Sequence, residues 1–232
     1  MDQPFDDSRS GWAVKLGRRI FPLRGLAGLP YLCLCLLLSR PGPWNWDMVW
    51  AGWSCLALGL FMRCWGVAGW YARGAQEQTS GLITTTGPYA LTRNPRYLGN
   101  LALGMGACWL MGAPLCVFGF LLVWAAVHLP VIQAEEAVLS NRYGPLYQAY
   151  CRCVPRFMGR NRSGFSLWSR LAEVPWGLAW RAEKETWAGW LSLGVALQAY
   201  QRAYCGLSWL PWLFLGWSLV AALVWLAGRE RA

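Results

Sequence analysis

The chain has 232 residues, of which 56% are hydrophobic and 18 are tryptophan, and its formal net charge is +10 at neutral pH. One water-soluble core does not require so much apolar surface, whereas burial in lipid accounts for it. Cationic loops beside anionic headgroups account for the charge, and no nucleic-acid-binding motif accompanies it, so a nucleic-acid partner is not expected.

A bilayer span takes about 20 mostly apolar residues. Such runs extend from Phe21 to Ser39, Met48 to Tyr71, Tyr97 to Met111, Pro114 to Ala134, Thr186 to Cys205 and Trp209 to Gly228. They are continuously apolar, without the alternation of a strand, and only helices or closed barrels satisfy the backbone in lipid. The sequence therefore predicts an all-α, polytopic transmembrane helical bundle of about six spans, the third unusually short.

Arg9, Lys15, Arg18, Arg19 and Arg24 precede or open the first span, Arg73, Arg93 and Arg96 lie between the second and third, and a long basic segment follows the fourth. Arg40 is the sole loop cation on the other side. The positive-inside rule then gives a multi-pass integral membrane protein with both termini cytoplasmic. The acidic start, Met1 to Asp7, does not read as a secretory signal, so the first span is expected to remain as an anchor.

Polarity divides the chain into 1–71, an N-terminal segment with two spans; 72–160, a core with a helical hairpin and the unusual polar residues; and 161–232, an amphipathic segment with two further spans. Most of the nine cysteines fall inside spans, among them Cys33, Cys35, Cys55, Cys64, Cys108 and Cys116, and read as packing residues. With one histidine and no paired Cys-x-x-Cys sets, no metal site is expected.

Within the core, the Gly- and Thr-rich stretch from Gly81 to Tyr89 reads as a surface loop with backbone groups free to bind. Asn94 suits a helix N-cap and Pro95 the first helical position, so the third span begins there. Gly112-Ala113-Pro114 closes an antiparallel hairpin that sets the start of the third span beside the end of the fourth. Glu135 and Glu136 are expected at that helix terminus, where the dipole disfavours negative charge and a cation must compensate. A helix N-terminus flanked by Arg93 and Arg96 opposite two carboxylates is complementary to a zwitterion such as S-adenosylmethionine. On spacing alone, ion pairing between helices explains the same charges.

Gly87-Pro88-Tyr89, Arg93-Asn94-Pro95-Arg96-Tyr97-Leu98-Gly99, Glu135-Glu136, the Tyr143-Gly144 break with Tyr147 and Tyr150, and Val154-Pro155-Arg156-Phe157 follow one another in order. Together, across residues 81–157, they resemble the membrane methyltransferases that include isoprenylcysteine carboxyl methyltransferase and phospholipid methyltransferases. The resemblance implies S-adenosylmethionine as methyl donor and a lipid or other hydrophobic small molecule as acceptor, entering from the bilayer. It assigns Thr85, Gly87, Tyr89, Arg93, Asn94, Pro95, Tyr97, Gly99, Glu135 and Glu136 to the cofactor. Tyr97 and His128 are the catalytic candidates, and Arg63, His128, Tyr147 and Arg156 the acceptor-binding ones.

His128 precedes Glu135 by seven residues, which returns to nearly the same helix face; it reads as a base lining the acceptor channel or as a hydrogen-bonded membrane histidine. Arg63 and Arg202 fall inside spans, where they snorkel or meet an anionic headgroup. Two positions depart from the family pattern. Asn94 replaces a histidine and cannot ionise near neutral pH, and Val131 stands where isoprenylcysteine enzymes carry an arginine. Two other readings fit parts of the chain: a sterol-reductase-type NADPH-dependent reductase, against which the glutamate pair argues, and a non-catalytic lipid-binding membrane protein.

Overall fold

The computed structural model describes residues 11–23, 28–38, 43–80, 87–157, 171 and 174–206. The expected sixth span, Thr85 and the basic tail lie outside the described residues. Among them the chain forms seven α-helices and no strand: α1 (Trp12–Ile20), α2 (Leu29–Leu38), α3 (Trp46–Ser80), α4 (Pro95–Leu110), α5 (Cys116–Tyr143), α6 (Pro145–Cys153) and α7 (Trp176–Tyr204). Short 3-10 turns occupy Phe21–Leu23 and Gly87–Ala90.

Two described helices have the length and apolarity to cross a membrane, Trp46–Ala72 within α3 and all of α5, Cys116–Tyr143. The others depart from the expected spans for local reasons. In the first, Pro22 sits in a 3-10 turn and α2 starts at Leu29 with Pro30 in its first turn, where a missing backbone donor is tolerated. The resulting α2 has 10 residues, about half of a bilayer core at 1.5 Å per residue. The third is short as expected, and its start is where proline geometry places it, with Asn94 at the N-cap and Pro95 in the first turn. α7 begins at Trp176, ten residues before the expected span, and takes Arg181, Glu183, Lys184 and Glu185 into its first turns.

α5 runs on to Tyr143, so Glu135 and Glu136 stand two turns inside the helix, not at its terminus as expected. Gly144 ends it with φ +51°, a left-handed backbone that glycine adopts without strain, and Pro145 then starts α6. Gly112, at φ +73°, turns the hairpin between α4 and α5 in the same way.

The most extensive interface is between α3 and α4, and it depends on glycine. A Cβ on Gly59 would come 2.8 Å from the Gly99 carbonyl oxygen, and a Cβ on Gly99 would come 2.8 Å from that of Gly59. One heptad further along, a Cβ on Gly106 would meet the Gly52 carbonyl at the same distance. Close backbone approach through small residues is how helices associate where lipid removes the hydrophobic drive between them. Leu56, Leu60, Leu103, Leu110 and Leu197 fill the space between α3, α4 and α7, while Tyr97, Phe120, Trp124, Val131 and Ile132 join α4 to α5.

Gly59→Ala should therefore force these helices apart and cost about 1–3 kcal/mol by overpacking. Gly189→Ala, where nothing lies within 4 Å, should gain about 0.5–1 kcal/mol from helix propensity. Thermal unfolding in detergent, followed by circular dichroism, reads both signs.

Candidate functional site

At one end of the bundle the helices open into a crevice of about 790 Å3. Its walls come from the end of α1 and the turn after it, the middle of α3, the start of α4, α5 around the glutamates, and α6. Cofactor and ligand pockets commonly occupy about 300–1,000 Å3.

The polar residues on these walls are held by one another. Glu136 lies 3.3 Å from the Arg93 guanidinium and accepts hydrogen bonds from Arg156 on both carboxylate oxygens, the Nε contacts measuring 3.2 and 3.1 Å. Arg156 also donates to Glu136 through its terminal nitrogen. The expected cationic compensation of the carboxylates is thus supplied, for Glu136, by one arginine before α4 and another beyond α6. Arg93 additionally donates to the Cys151 sulfur at 2.8 Å. Burial lowers the affinity of Arg93 for its proton, but the Glu136 carboxylate together with Cys151 and Tyr147 more than offsets this and raises it above its ordinary value.

Backbone contacts fix the same junction. The amide of Arg93 donates to the Pro155 carbonyl at 2.9 Å and the Thr92 hydroxyl to the Arg156 carbonyl at 3.1 Å. The Val154 to Phe157 motif therefore runs beside the segment that leads into α4. Asn94 occupies the N-cap position without capping: its amide donates to the Arg156 carbonyl at 3.1 Å and lies 3.5 Å from Glu136. Nearby, the Tyr150 hydroxyl donates to the Tyr89 carbonyl at 2.8 Å and anchors the Gly87–Ala90 turn to α6. Burial pushes the phenols of Tyr147 and Tyr150 well above their ordinary range, so both stay neutral donors.

Tyr97, buried between α4 and α5, donates to Glu135 at 2.9 Å. His128 stacks on Trp124, with ring centroids 5.2 Å apart, and meets Tyr97 edge-on at 5.4 Å. The crevice thus gathers Arg63, Tyr89, Arg93, Asn94, Pro95, Tyr97, Glu135, Glu136 and Tyr147 from the sequence candidates. His128 sits behind Tyr97 and off the crevice wall, and Arg156 faces an adjoining shallower pocket with Glu136. Gly87 packs against Val174 and Trp65, and Gly99 lies in the α3–α4 crossing.

Arg63 neither snorkels nor stands open. It forms a two-pronged pair with Glu183 of α7, both contacts at 3.0 Å, and donates to the side-chain Oδ1 of Asn100. Arg202 lies at the other end of α3, its guanidinium carbon 4.2 Å from the Trp44 ring centre. Sequence reasoning missed Asn100 and Glu183, as well as Arg18, Phe21 and Pro22 on the crevice wall. Asn100 had a readable signal, since it follows Arg96 by four residues on the same helix face. Glu183 had none, because it sits among Arg181, Lys184 and Glu185 in what reads as a solvated segment.

Among the described residues, then, two helices have membrane length and the bundle opens at one end into a polar crevice. Over residues 48–145 the chain matches the Phospholipid methyltransferase family, which bears out the resemblance drawn from its motifs. That stretch holds α3, α4 and α5, with Arg63, Arg93 and both glutamates, and stops before Tyr147, Arg156 and Glu183. The chain is also similar to the cobalt-zinc-cadmium resistance protein CzcN of Cupriavidus metallidurans, 32% identical over 121 residues, or 50% of this chain and 54% of that protein. The nickel-cobalt-cadmium resistance protein NccN of Alcaligenes xylosoxydans xylosoxydans is 30% identical over 130 residues, 54% of this chain and 59% of that protein. The matched stretch spans just over half the length of these curated relatives. No solved structure matches the chain.

The Arg63–Glu183 pair is nearly enclosed, with side chains 15% and 5% exposed. Glu183→Ala should strand the arginine and cost about 3–5 kcal/mol, whereas replacing both partners by Met and Leu should recover most of the loss. Thermal unfolding of the three proteins in one detergent separates the cost of breaking the pair from its net worth.

Proposed function

We propose that the chain is an integral-membrane, S-adenosylmethionine-dependent methyltransferase whose acceptor is a lipid or another hydrophobic small molecule. The observation that carries this reading is the coincidence of the family match, over residues 48–145, with a crevice that presents both signs of charge at the start of α4 and on α5. S-adenosylmethionine would supply a methyl group on a sulfonium whose departing thioether is neutral.

The residues fit such a group by their own commitments. Arg93 is engaged by Glu136 and Cys151. Arg96 lines the same crevice and takes part in no ion pair among the described residues, so it is the cation for the cofactor's carboxylate. Glu135, oriented by the Tyr97 hydroxyl, is the carboxylate for its positive end. Glu136 holds the two arginines in place. Tyr97 would act by orienting Glu135, and His128 by buttressing the Tyr97 ring. Tyr147 lines the crevice from α6, toward which we place the acceptor.

Apolar side chains exposed on the long helices, among them Leu58, Phe61, Phe118 and Leu122, support a setting in lipid. With the loop cations, this supports a multi-pass topology with the crevice on the cytoplasmic side. Both relatives are named for resistance to cobalt and cadmium, and a methyltransferase in that setting would modify a lipophilic acceptor of the cell's membrane.

Calorimetric titration of the detergent-purified protein with S-adenosylmethionine, S-adenosylhomocysteine and NADPH tests the reading. Saturable binding of the first two is expected, and Arg96→Ala should weaken it by about 1.5–3 kcal/mol, the worth of hydrogen bonds to a charged group. Binding of NADPH alone would move the chain to the reductase class, and unchanged affinity in the Arg96 variant would unseat the assignment of that residue.

A further inference from the structure

α1 has two unlike faces. On the inner one Gly17 lies so close to α5 that a Cβ would stand 2.0 Å from the Pro130 carbonyl oxygen. At that crossing α5 changes character: its residues are apolar through Ile132 apart from His128, and then come Gln133, Glu135 and Glu136. Where α5 crosses a membrane, this apolar-to-polar change marks the level of the lipid headgroups.

The outer face carries Trp12, Lys15, Leu16 and Arg19, spaced as one helical stripe and all exposed, with Trp12 at 78%. A stripe turned to water would not expose a tryptophan and a leucine, and one turned to acyl chains would not carry two cations. In the headgroup layer both halves are satisfied, the apolar side chains reaching the acyl boundary and the ammonium and guanidinium reaching phosphates. The same short segment also closes the crevice, since Arg18, Phe21 and Pro22 form part of its wall.

We propose that the outer face of α1 docks on the anionic surface of the bilayer, and that this contact holds the Arg18, Phe21 and Pro22 wall against the crevice. The occupant follows from the two cations interleaved with apolar residues at the headgroup level. A neutral surface would satisfy Trp12 and Leu16 but leave Lys15 and Arg19 without counter-charge.

Hydrogen exchange of the full chain, read by mass spectrometry in nanodiscs of phosphatidylcholine alone or mixed with an equal part of phosphatidylglycerol, tests this. Amides of α1 should exchange about thirtyfold more slowly in the anionic discs, since two cations near such a surface contribute about 1 kcal/mol each. The difference should vanish in the Lys15→Gln/Arg19→Gln variant, and in the native protein at high salt. Equal exchange in both lipids, or a difference that survives high salt, would overturn the proposal. Amides of α4 report whether the variant is folded, and if it is not, the salt series on the native protein decides. No cofactor is needed, so the outcome is independent of whether the crevice binds S-adenosylmethionine.

Discussion

One carboxylate, that of Glu136, is shared by Arg93 at the start of α4 and by Arg156 beyond α6, and this cluster ties three segments of the chain together. Glu136 is only 12% exposed, so both arginines are needed to offset the loss of its hydration. Such a cluster contributes little net stability, because desolvation consumes most of the Coulomb gain. What it contributes is geometry. The shared carboxylate and the Arg93–Pro155 backbone bond hold the Val154 to Phe157 segment in register beside the start of α4. Arg93, Asn94 and Arg156 are all positioned through this junction.

The opposite wall depends on α3, and its placement is steric before it is electrostatic. Gly59 and Gly99 bring the α3 and α4 backbones together, and a Cβ on Gly99 would also stand 2.7 Å from the Arg63 Cγ. The close crossing therefore lays the Arg63 stem across α4 and delivers its guanidinium to Asn100 and to Glu183 on α7. An arginine at this depth has to be paired within the bundle or reach water. Here α7 supplies the partner, although it lies outside the stretch that matches the methyltransferase family. The matched stretch is thus completed by a helix that its own motifs do not contain.

The sequence discloses helix type and hairpin placement because these follow from local rules: continuous apolarity, Asn94-Pro95 at a helix start, Gly112 at a turn. The ordered motifs disclose which polar residues meet, since each lies within one short segment that folding brings to the same end of the bundle. Helix lengths are less legible. Hydropathy marks where Glu135 and Glu136 leave the apolar run, but a helix does not stop where polarity begins, and α5 continues for two turns to its glycine. Pairings between distant segments are the least legible. Arg63 with Glu183 spans 120 positions, and nothing near either residue names the other. Asn94 shows a subtler failure: the N-cap position is right, but the side chain is drawn to the Arg156 carbonyl instead of the helix end.

That use of Asn94 bears on the chemistry proposed for the site. Its amide lies beside a cluster in which two guanidinium groups already share the Glu136 carboxylate. A histidine at this position, the residue the resembling enzymes carry, would add another positive charge to that cluster whenever it bound a proton. An amide donates the same kind of hydrogen bond and never ionises, so the cluster keeps its charge at any pH near neutral. A reaction that required proton transfer at this position would be lost with the histidine. Methyl transfer from a sulfonium requires chiefly alignment within about 3–3.5 Å and exclusion of water, because the leaving group departs neutral. A crevice in which Arg93, Glu136 and Tyr97 are fixed by their neighbours, with an unionisable amide beside them, would be suited to alignment more than to acid–base work.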